Sequence, residues 1–191
     1  MRVIFIRHGR TQSNVGHLLD TGFPGAPLDE TGEAQAAGLP GRLAGEPVEV
    51  VLTSDITRAR QTAEPLAKAR GVPLVIDPGV REIYAGDWDM DADWEPYQRI
   101  IASWVTDPTG SLPGGEDGVG FLHRFDAALA ELADYDCVAV VSHGGALHTW
   151  LTIRAHMAVD ITQTPLKNTD IVIVEGSAPT WRVLNWAGRE L

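Results

Sequence analysis

The chain has 191 residues, of which 44% are hydrophobic and 21% charged, and its formal net charge is -11. This length suits one domain with a sizeable core, spanning residues 1–191, and the composition excludes an intrinsically disordered chain. The acidic balance argues against nucleic acids and anionic membranes as partners, because both bind basic surfaces.

A single cysteine, Cys137, excludes a disulfide within the chain. Its apolar neighbours indicate a small core residue and not a reactive thiolate. The amino-terminal apolar run is too short for a signal peptide, and no stretch is long enough to span a membrane. The expected location is therefore the cytoplasm.

The first predicted strand, at residues 3–6, is a run of β-branched and aromatic residues, typical of a strand buried on both faces. It ends abruptly in Arg7, His8, Gly9 and Arg10. Arginine binds phosphate through a planar fork, and histidine exchanges protons near neutral pH. Because ligands bind at the carboxyl ends of strands in open α/β sheets, this turn is a candidate site. The alternative is that these polar residues only mark where the strand leaves the core.

Helices and strands alternate along the rest of the chain. After a polar loop, further strands are predicted at residues 48–53, 72–76, 137–141, 170–174 and 181–184. Helices are predicted at residues 29–43 (kinked or interrupted at Gly38 and Pro40), 57–70, 121–133 and from about 145. Residues 84–120 carry tryptophans and acids and are interpreted as a lid segment. This order predicts an α/β fold of three layers, with a mostly parallel central sheet and helices on both faces.

The strand at residues 137–141 ends like the first one, in Ser142, His143 and two glycines. If the two strands are neighbours in a parallel sheet, His8 and His143 lie at the same edge. A capping or core histidine is the alternative for His143 alone, but two strands with the same ending favour a shared site.

Two further stretches carry candidate side chains. Arg58 lies in the first turn of a helix that follows a strand, so it can reach the same sheet edge, where helix N-termini also favour anions. Arg60 is interpreted as a solvated helix residue. Glu82 follows a Pro-Gly turn, which favours a partly desolvated carboxyl group; a surface glutamate paired with Arg81 is the alternative.

Five stretches, in this order along the chain, resemble the histidine phosphatase superfamily, which has the phosphoglycerate mutase-like fold. They are residues 7–11, 54–63, 81–88, 113–116 and 142–145. The resemblance implies that His8 is the nucleophile that accepts the phosphoryl group and that Glu82 is the general acid and base. It implies a phosphate pocket made by Arg7, Arg58 and His143, with contacts from Asn14 and the backbone N–H of Gly144.

One residue departs from the family's pattern. Arg10 stands where an acidic residue or glutamine is usual. It either adds a third positive charge beside the pocket, as a phosphate-binding residue, or pairs outward with an acid. The resemblance further implies a small phosphorylated molecule as substrate, no metal or other cofactor, and a homodimer.

The implied activity is hydrolysis of small-molecule phosphomonoesters through a phosphohistidine. A phosphoglycerate-type mutase is the first alternative; residues 88–120 are short for the insertion that closes mutase sites, which favours hydrolysis. A non-catalytic module that binds a phospholigand is the second, disfavoured because every residue that the chemistry needs is present. Metal binding by the histidines is a third, disfavoured because adjacent arginines would repel a cation; these histidines are His8, His17, His123, His143, His148 and His156.

Overall fold

The computed structural model describes residues 1–156 and 164–191. The strands of these residues are β1 (Arg2–Arg7), β2 (Val50–Thr53), β3 (Leu74–Ile76), β4 (Cys137–Ser142), β5 (Ala155–His156), β6 (Ile171–Ser177), β7 (Thr180–Trp186) and β8 (Arg189–Glu190). The α-helices are α1 (Gln12–Val15), α2 (Glu30–Arg42), α3 (Thr57–Arg70), α4 (Glu95–Ser103), α5 (Gly118–Ala130) and α6 (Gly144–Arg154), with short 3-10 turns at Pro78–Val80 and Gly86–Trp88.

The strands form one mixed sheet in the order β3-β2-β4-β1-β6-β7-β5, and β8 pairs with β7. The first four strands in this order are parallel to one another, whereas β6 is antiparallel to both β1 and β7. The two residues between β6 and β7 make a hairpin, a connection too short for a parallel crossover. The α/β fold is as expected, and the parallel strands include both strands that end in histidine.

Strand β1 separates two apolar cores. Its side chains alternate between the sheet faces, so Val3 and Phe5 pack with α5 and α6, while Ile4 and Ile6 pack with α2 and α3. All four are fully buried, which stabilises the fold by roughly 1.5–3 kcal/mol for each side chain. Helices therefore cover both faces of the sheet, and the predicted three-layer arrangement is present.

Helix α2 differs from its prediction. It runs without interruption to Arg42, although Gly38 and Pro40 lie within it. Pro40 lies in the last turn of the helix, so its missing N–H group disturbs few of the helix's backbone hydrogen bonds. Asp29 caps the helix start by accepting the Gly32 N–H at 2.8 Å, as one of the two predicted caps.

Residues 84–120 pack onto the core through Tyr97, Trp104 and Leu112, which are at most 3% exposed. The indole N–H of Trp94 donates to the carbonyl of His17 at 2.8 Å, which holds the start of α4 against the loop after α1. Within the described residues, no helix combines the length and apolarity needed to cross a membrane.

Candidate active site

The register of the parallel strands places three chain segments side by side. Arg7 pairs with Ser142 across β1 and β4, and Thr53 pairs with Val141 across β2 and β4. The residues that follow therefore leave the sheet at the same edge, and the rings of His8 and His143 lie 5.2 Å apart between centroids. The predicted meeting of the two histidines is present in the structure.

A cavity of about 650 Å³ opens at this edge. Five predicted site side chains line it together with the backbone of Gly144: they are Arg7, His8, Asn14, Arg58 and Glu82. His143 is fully buried beside His8.

His8 is held as a neutral imidazole whose Nε2 carries no proton. Its Nδ1 lies 2.7 Å from the carbonyl oxygen of Gly9, which requires Nδ1 to carry the proton. The unprotonated Nε2 accepts the Nε–H of Arg58 at 3.1 Å. Burial, followed by the charges of Arg58 and Arg7, holds the pKa of His8 well below its ordinary value of 6.5.

This lowered pKa predicts a pH dependence of stability. Below pH 6.5 the unfolded chain binds a proton that folded His8 does not bind, so the free energy of unfolding decreases as the pH decreases, by up to about 1.4 kcal/mol per pH unit. His8→Gln should remove this contribution and reduce the slope between pH 7.5 and 5.5, measured by urea unfolding, whereas the lowered pKa of His143 keeps a slope of its own. His123→Gln, at an exposed residue, is the control. Equal pH slopes for the two variants would contradict the prediction.

Arg58 lies 2% exposed beside His8, fixed by contacts with one acidic residue. Its Nη2 donates to the carbonyl of Asp20 at 2.7 Å, and its Nη1 lies 3.4 Å from the Asp20 carboxylate. That carboxylate also accepts from the Ser13 hydroxyl and the Ala26 N–H. Burial lowers the pKa of Arg58, and the charge of Asp20 opposes this.

Two buried nitrogen donors at the site have no hydrogen-bond partner among the described residues: Nε of Arg7 and Nδ1 of His143. The other ring nitrogen of His143 lies 2.8 Å from the hydroxyl of Ser54, which itself accepts the N–H of Ile56. Among the described residues, Nε2 is the one acceptor that the Ser54 hydroxyl contacts, and a hydroxyl that donates to Nε2 leaves the proton of a neutral His143 on Nδ1. Buried donors without partners are rare in proteins, and an oxyanion is the kind of acceptor that each of them lacks.

Glu82 does not pair with Arg81, which instead binds Asp55 through two nitrogens. The Glu82 carboxylate accepts the N–H groups of Gly145 at 3.0 Å and Ala146 at 2.6 Å, in the first turn of α6. It also accepts the N–H of Ile83 at 2.9 Å. These bonds fix a carboxylate in the cavity wall, close to the end of the strand that carries His143.

The orientations of the other two predicted phosphate contacts, Asn14 and Gly144, are defined by their neighbours. The side-chain oxygen of Asn14 accepts the Thr11 N–H and the Asn168 amide, each at 3.1 Å, so its own NH₂ group is what can contact a ligand. A side chain at Gly144 would place its Cβ 3.2 Å from Nε of Arg7. The missing side chain therefore lets the backbone approach the guanidinium closely.

Arg10 requires a correction as a phosphate-binding residue. Its Nε donates to the Asp29 carboxylate at 2.8 Å and its Nη2 to the Thr31 hydroxyl at 2.7 Å. Its side chain is 41% exposed and absent from the cavity lining. The alternative in which Arg10 pairs outward with an acid describes the structure, because the capped start of α2 lies next to this turn.

The turn itself requires a glycine. A Cβ at Gly9 would lie 2.7 Å from the carbonyl oxygen of Gly32, because α2 approaches the backbone there. The Gly9 N–H donates to the hydroxyl of Thr62 on α3 at 2.9 Å. The backbone that carries His8 is thus fixed between two helices.

Sequence reasoning missed several residues that hold the site together. They are Asp20, Ser54, Thr62 and Asn168, the last of which donates to the His8 carbonyl at 3.1 Å. Their side chains act through contacts between segments distant in the chain. Ser54 and Thr62 lie in the same stretch as Arg58, residues 54–63, and this nearness is the local signal that could have found two of them.

The histidines do not form a metal centre within residues 1–156 and 164–191. No group of three or more His, Cys, Asp or Glu side chains there is arranged to hold an ion. His17, His123 and His156 are exposed and lie outside the cavity lining.

Comparisons with known proteins agree with this geometry. The chain is 36% identical over 157 residues to the adenosylcobalamin/alpha-ribazole phosphatase of Salmonella typhimurium, which covers 77% of this chain and 76% of the relative. It is 30% identical over 196 residues to a protein of Escherichia fergusonii named Probable phosphoglycerate mutase GpmB, with 97% and 90% covered. The solved structure of a mycobacterial glucosyl-3-phosphoglycerate phosphatase superposes with a TM-score of 0.80 at 25% identity, covering 98% of this chain and 99% of that one.

The family model of the histidine phosphatase superfamily (branch 1) matches residues 3–188, which is nearly the whole chain. The matched region contains both strand ends, the start of α3 and Glu82. The resemblance found in five separate stretches therefore extends over nearly the whole chain, and this chain belongs to the histidine phosphatase superfamily.

Proposed function

We propose that this protein hydrolyses small-molecule phosphomonoesters through a phosphohistidine formed on His8, without a metal ion. The observation that carries the proposal is the state of His8: a buried, neutral ring whose Nε2 lone pair faces the guanidinium of Arg58. A neutral imidazole is a nucleophile, whereas an imidazolium is not. The names of the phosphatase relatives support the same activity.

In the first step, Nε2 of His8 attacks phosphorus in line, and the P–N bond forms as the bond to the ester oxygen breaks. Protonated Glu82 gives its proton to the leaving oxygen, and the alcohol departs. In the second step, Glu82 accepts a proton from water as the water oxygen attacks phosphorus. The P–N bond breaks, inorganic phosphate leaves, and Nε2 recovers its lone pair.

The charge on the transferred phosphoryl oxygens is balanced by the chain's own donors. Arg7 and Arg58 supply two guanidiniums, and Nδ1 of His143 supplies a neutral donor. Preorganised donors at a dry site usually provide the largest stabilisation of such a transition state. We therefore expect turnover to be unchanged by EDTA.

Glu82→Gln tests the general acid. The variant should lower kcat/KM by about 10²- to 10⁴-fold for alkyl phosphates, because their leaving oxygens need a proton. It should lower kcat/KM far less for p-nitrophenyl phosphate, whose leaving group departs as an anion. Initial-rate measurements on both esters decide the matter, since kcat/KM reports steps up to leaving-group departure. Equal losses on the two esters would indicate a structural role for Glu82 instead.

A phosphoglycerate mutase is the second candidate, favoured by the match to the GpmB protein across 97% of the chain. The two activities differ in the acceptor of the phosphoryl group from His8, which is water in a phosphatase and the bound product in a mutase. Incubation with 3-phosphoglycerate followed by quantification of phosphate and of the isomer distinguishes them. Free phosphate in excess of isomer supports hydrolysis, and isomer without phosphate supports the mutase.

We further propose that residues 84–120 form a lid over the cavity within a single domain. Six residues of this segment line the cavity, and the packing of Tyr97 and Trp104 on the core supports a fixed position for it.

A cytoplasmic location, a homodimer and the absence of a nucleic-acid partner also belong to the proposal. The net charge of -11 supports the last of these, and size-exclusion chromatography with light scattering tests the dimer.

A further inference from the structure

Charged and apolar side chains both line the cavity. The charged ones include the two guanidiniums of Arg7 and Arg58 and the carboxylates of Asp20 and Glu82. One long wall of the remaining space is a single face of α4 and the residues flanking it, in the i, i+3, i+4 spacing of a helix. The apolar and aromatic side chains lining this part are Leu18, Leu19, Trp94, Tyr97, Ile101, Ala102, Val105 and Leu166.

Most of the other polar groups in the cavity lining are uncharged. They include the amide of Gln98 and the hydroxyls of Thr149 and Thr152, and His148 lies edge-on to Trp186 at 6.1 Å between ring centroids. Among the described residues, the only lysine or arginine side chains that line the cavity are those of Arg7 and Arg58. The sequence of residues 157–163 contains no lysine or arginine either.

This distribution has opposite consequences for two kinds of substrate. A second anionic group, such as the carboxylate of a phosphoglycerate, would lose water without gaining a cation of its own. The nearest fixed charges would include the carboxylates of Glu82 and Asp20, which repel it. An apolar ring would instead bury its surface against α4, and the volume of about 650 Å³ is in the range that accepts a drug-sized molecule.

We propose that the substrate is the monophosphate ester of an uncharged, ring-bearing alcohol, whose ring packs between α4 and Leu18. This inference rests on the proposed phosphatase activity and names its substrate class. The aromatic side chains of Trp94 and Tyr97 in the same wall offer faces and edges to a flat ring. The side chains of Ile101, Ala102 and Val105 are then specificity-determining residues.

The first test compares esters that share a primary-alcohol leaving group: 2-(1-naphthyl)ethyl phosphate, glycerol 1-phosphate and 3-phosphoglycerate. Phosphate release should give a kcat/KM for the naphthylethyl ester at least about tenfold above that for 3-phosphoglycerate. A ratio below tenfold overturns the proposal.

A matched pair of variants on α4 tests whether the preference for the naphthylethyl ester depends on the apolar wall of the cavity. Ala102→Arg adds a cation to the apolar wall, whereas Ser103→Arg adds the same charge at the next residue, which is also exposed but lies outside the lining. Ala102→Arg should reduce the ratio at least about fivefold by raising kcat/KM for 3-phosphoglycerate. Equal ratios in the two variants overturn the proposal.

The outcomes distinguish a failure of the proposed phosphatase activity from a failure of the proposed substrate class. p-Nitrophenyl phosphate is included as an activated ester, and His8→Ala as the blank. If no ester gives phosphate release that depends on His8, the proposed function itself fails. If release depends on His8 but 3-phosphoglycerate has the highest kcat/KM, the function stands and the substrate class is wrong.

Discussion

His8→Ala is expected to lower kcat/KM at least about 10⁴-fold on every phosphomonoester that the wild-type protein hydrolyses. The substitution removes the atom that forms the bond to phosphorus. The nearest other ring, His143, is fully buried and does not line the cavity, and its Nε2 faces the Ser54 hydroxyl at 2.8 Å, so it cannot take over the attack through that atom. Steady-state phosphate release measures the loss.

His123→Ala is the control for this substitution. It also removes an imidazole, from an exposed position on α5 outside the cavity, and should keep wild-type activity. Circular dichroism and a thermal melt establish that the His8 variant is folded. A folded His8→Ala protein with more than about one-hundredth of wild-type kcat/KM would contradict the nucleophilic role.

Arg58→Gln should lower kcat by about 10²- to 10³-fold, the usual cost of losing one preorganised donor to the transition state. Arg58 contacts Nε2 of His8 directly, so its guanidinium lies within reach of an oxygen on any phosphoryl group that Nε2 attacks. Arg58→Lys keeps the charge but loses the planar fork, and its kcat should fall between those of the wild type and Arg58→Gln.

Helix α3 supplies the control for Arg58. Arg60 lies two residues further on, is half-exposed and pairs with Glu64, so Arg60→Gln should leave kcat within about twofold. The fold should tolerate Arg58→Gln, because the Asp20 carboxylate keeps the Ser13 hydroxyl and the Ala26 N–H as partners. Similar kcat values for the Arg58 and Arg60 variants would contradict the assigned role.

The sequence was most informative about features that depend on residues close together in the chain. Strands β1 and β4 are continuous apolar runs that end in His8 and His143, and neighbouring parallel strands bring such ends together. Arg58 could be placed because it follows a strand by a few residues and starts a helix. The family resemblance then gave these residues their roles.

What could not be predicted depends on contacts between distant segments. The outward turn of Arg10 follows from Asp29 and Thr31 at the start of α2, which no spacing reveals. The partners of Glu82 are backbone N–H groups of α6, about sixty residues later in the chain. The direction of β6 relative to β1 was equally hidden, because an apolar strand reads alike in both directions. The short connection to β7, in contrast, indicated a hairpin.

The most direct measurement is rapid acid-free quenching of the protein during turnover of a phosphomonoester labelled with ³²P, followed by peptide mass spectrometry. We predict at most one phosphoryl group per chain, on His8, that is stable to alkali, lost in acid and absent from His8→Ala. A phosphoryl group on another residue, or one that forms equally in His8→Ala, would contradict the role of His8 as nucleophile.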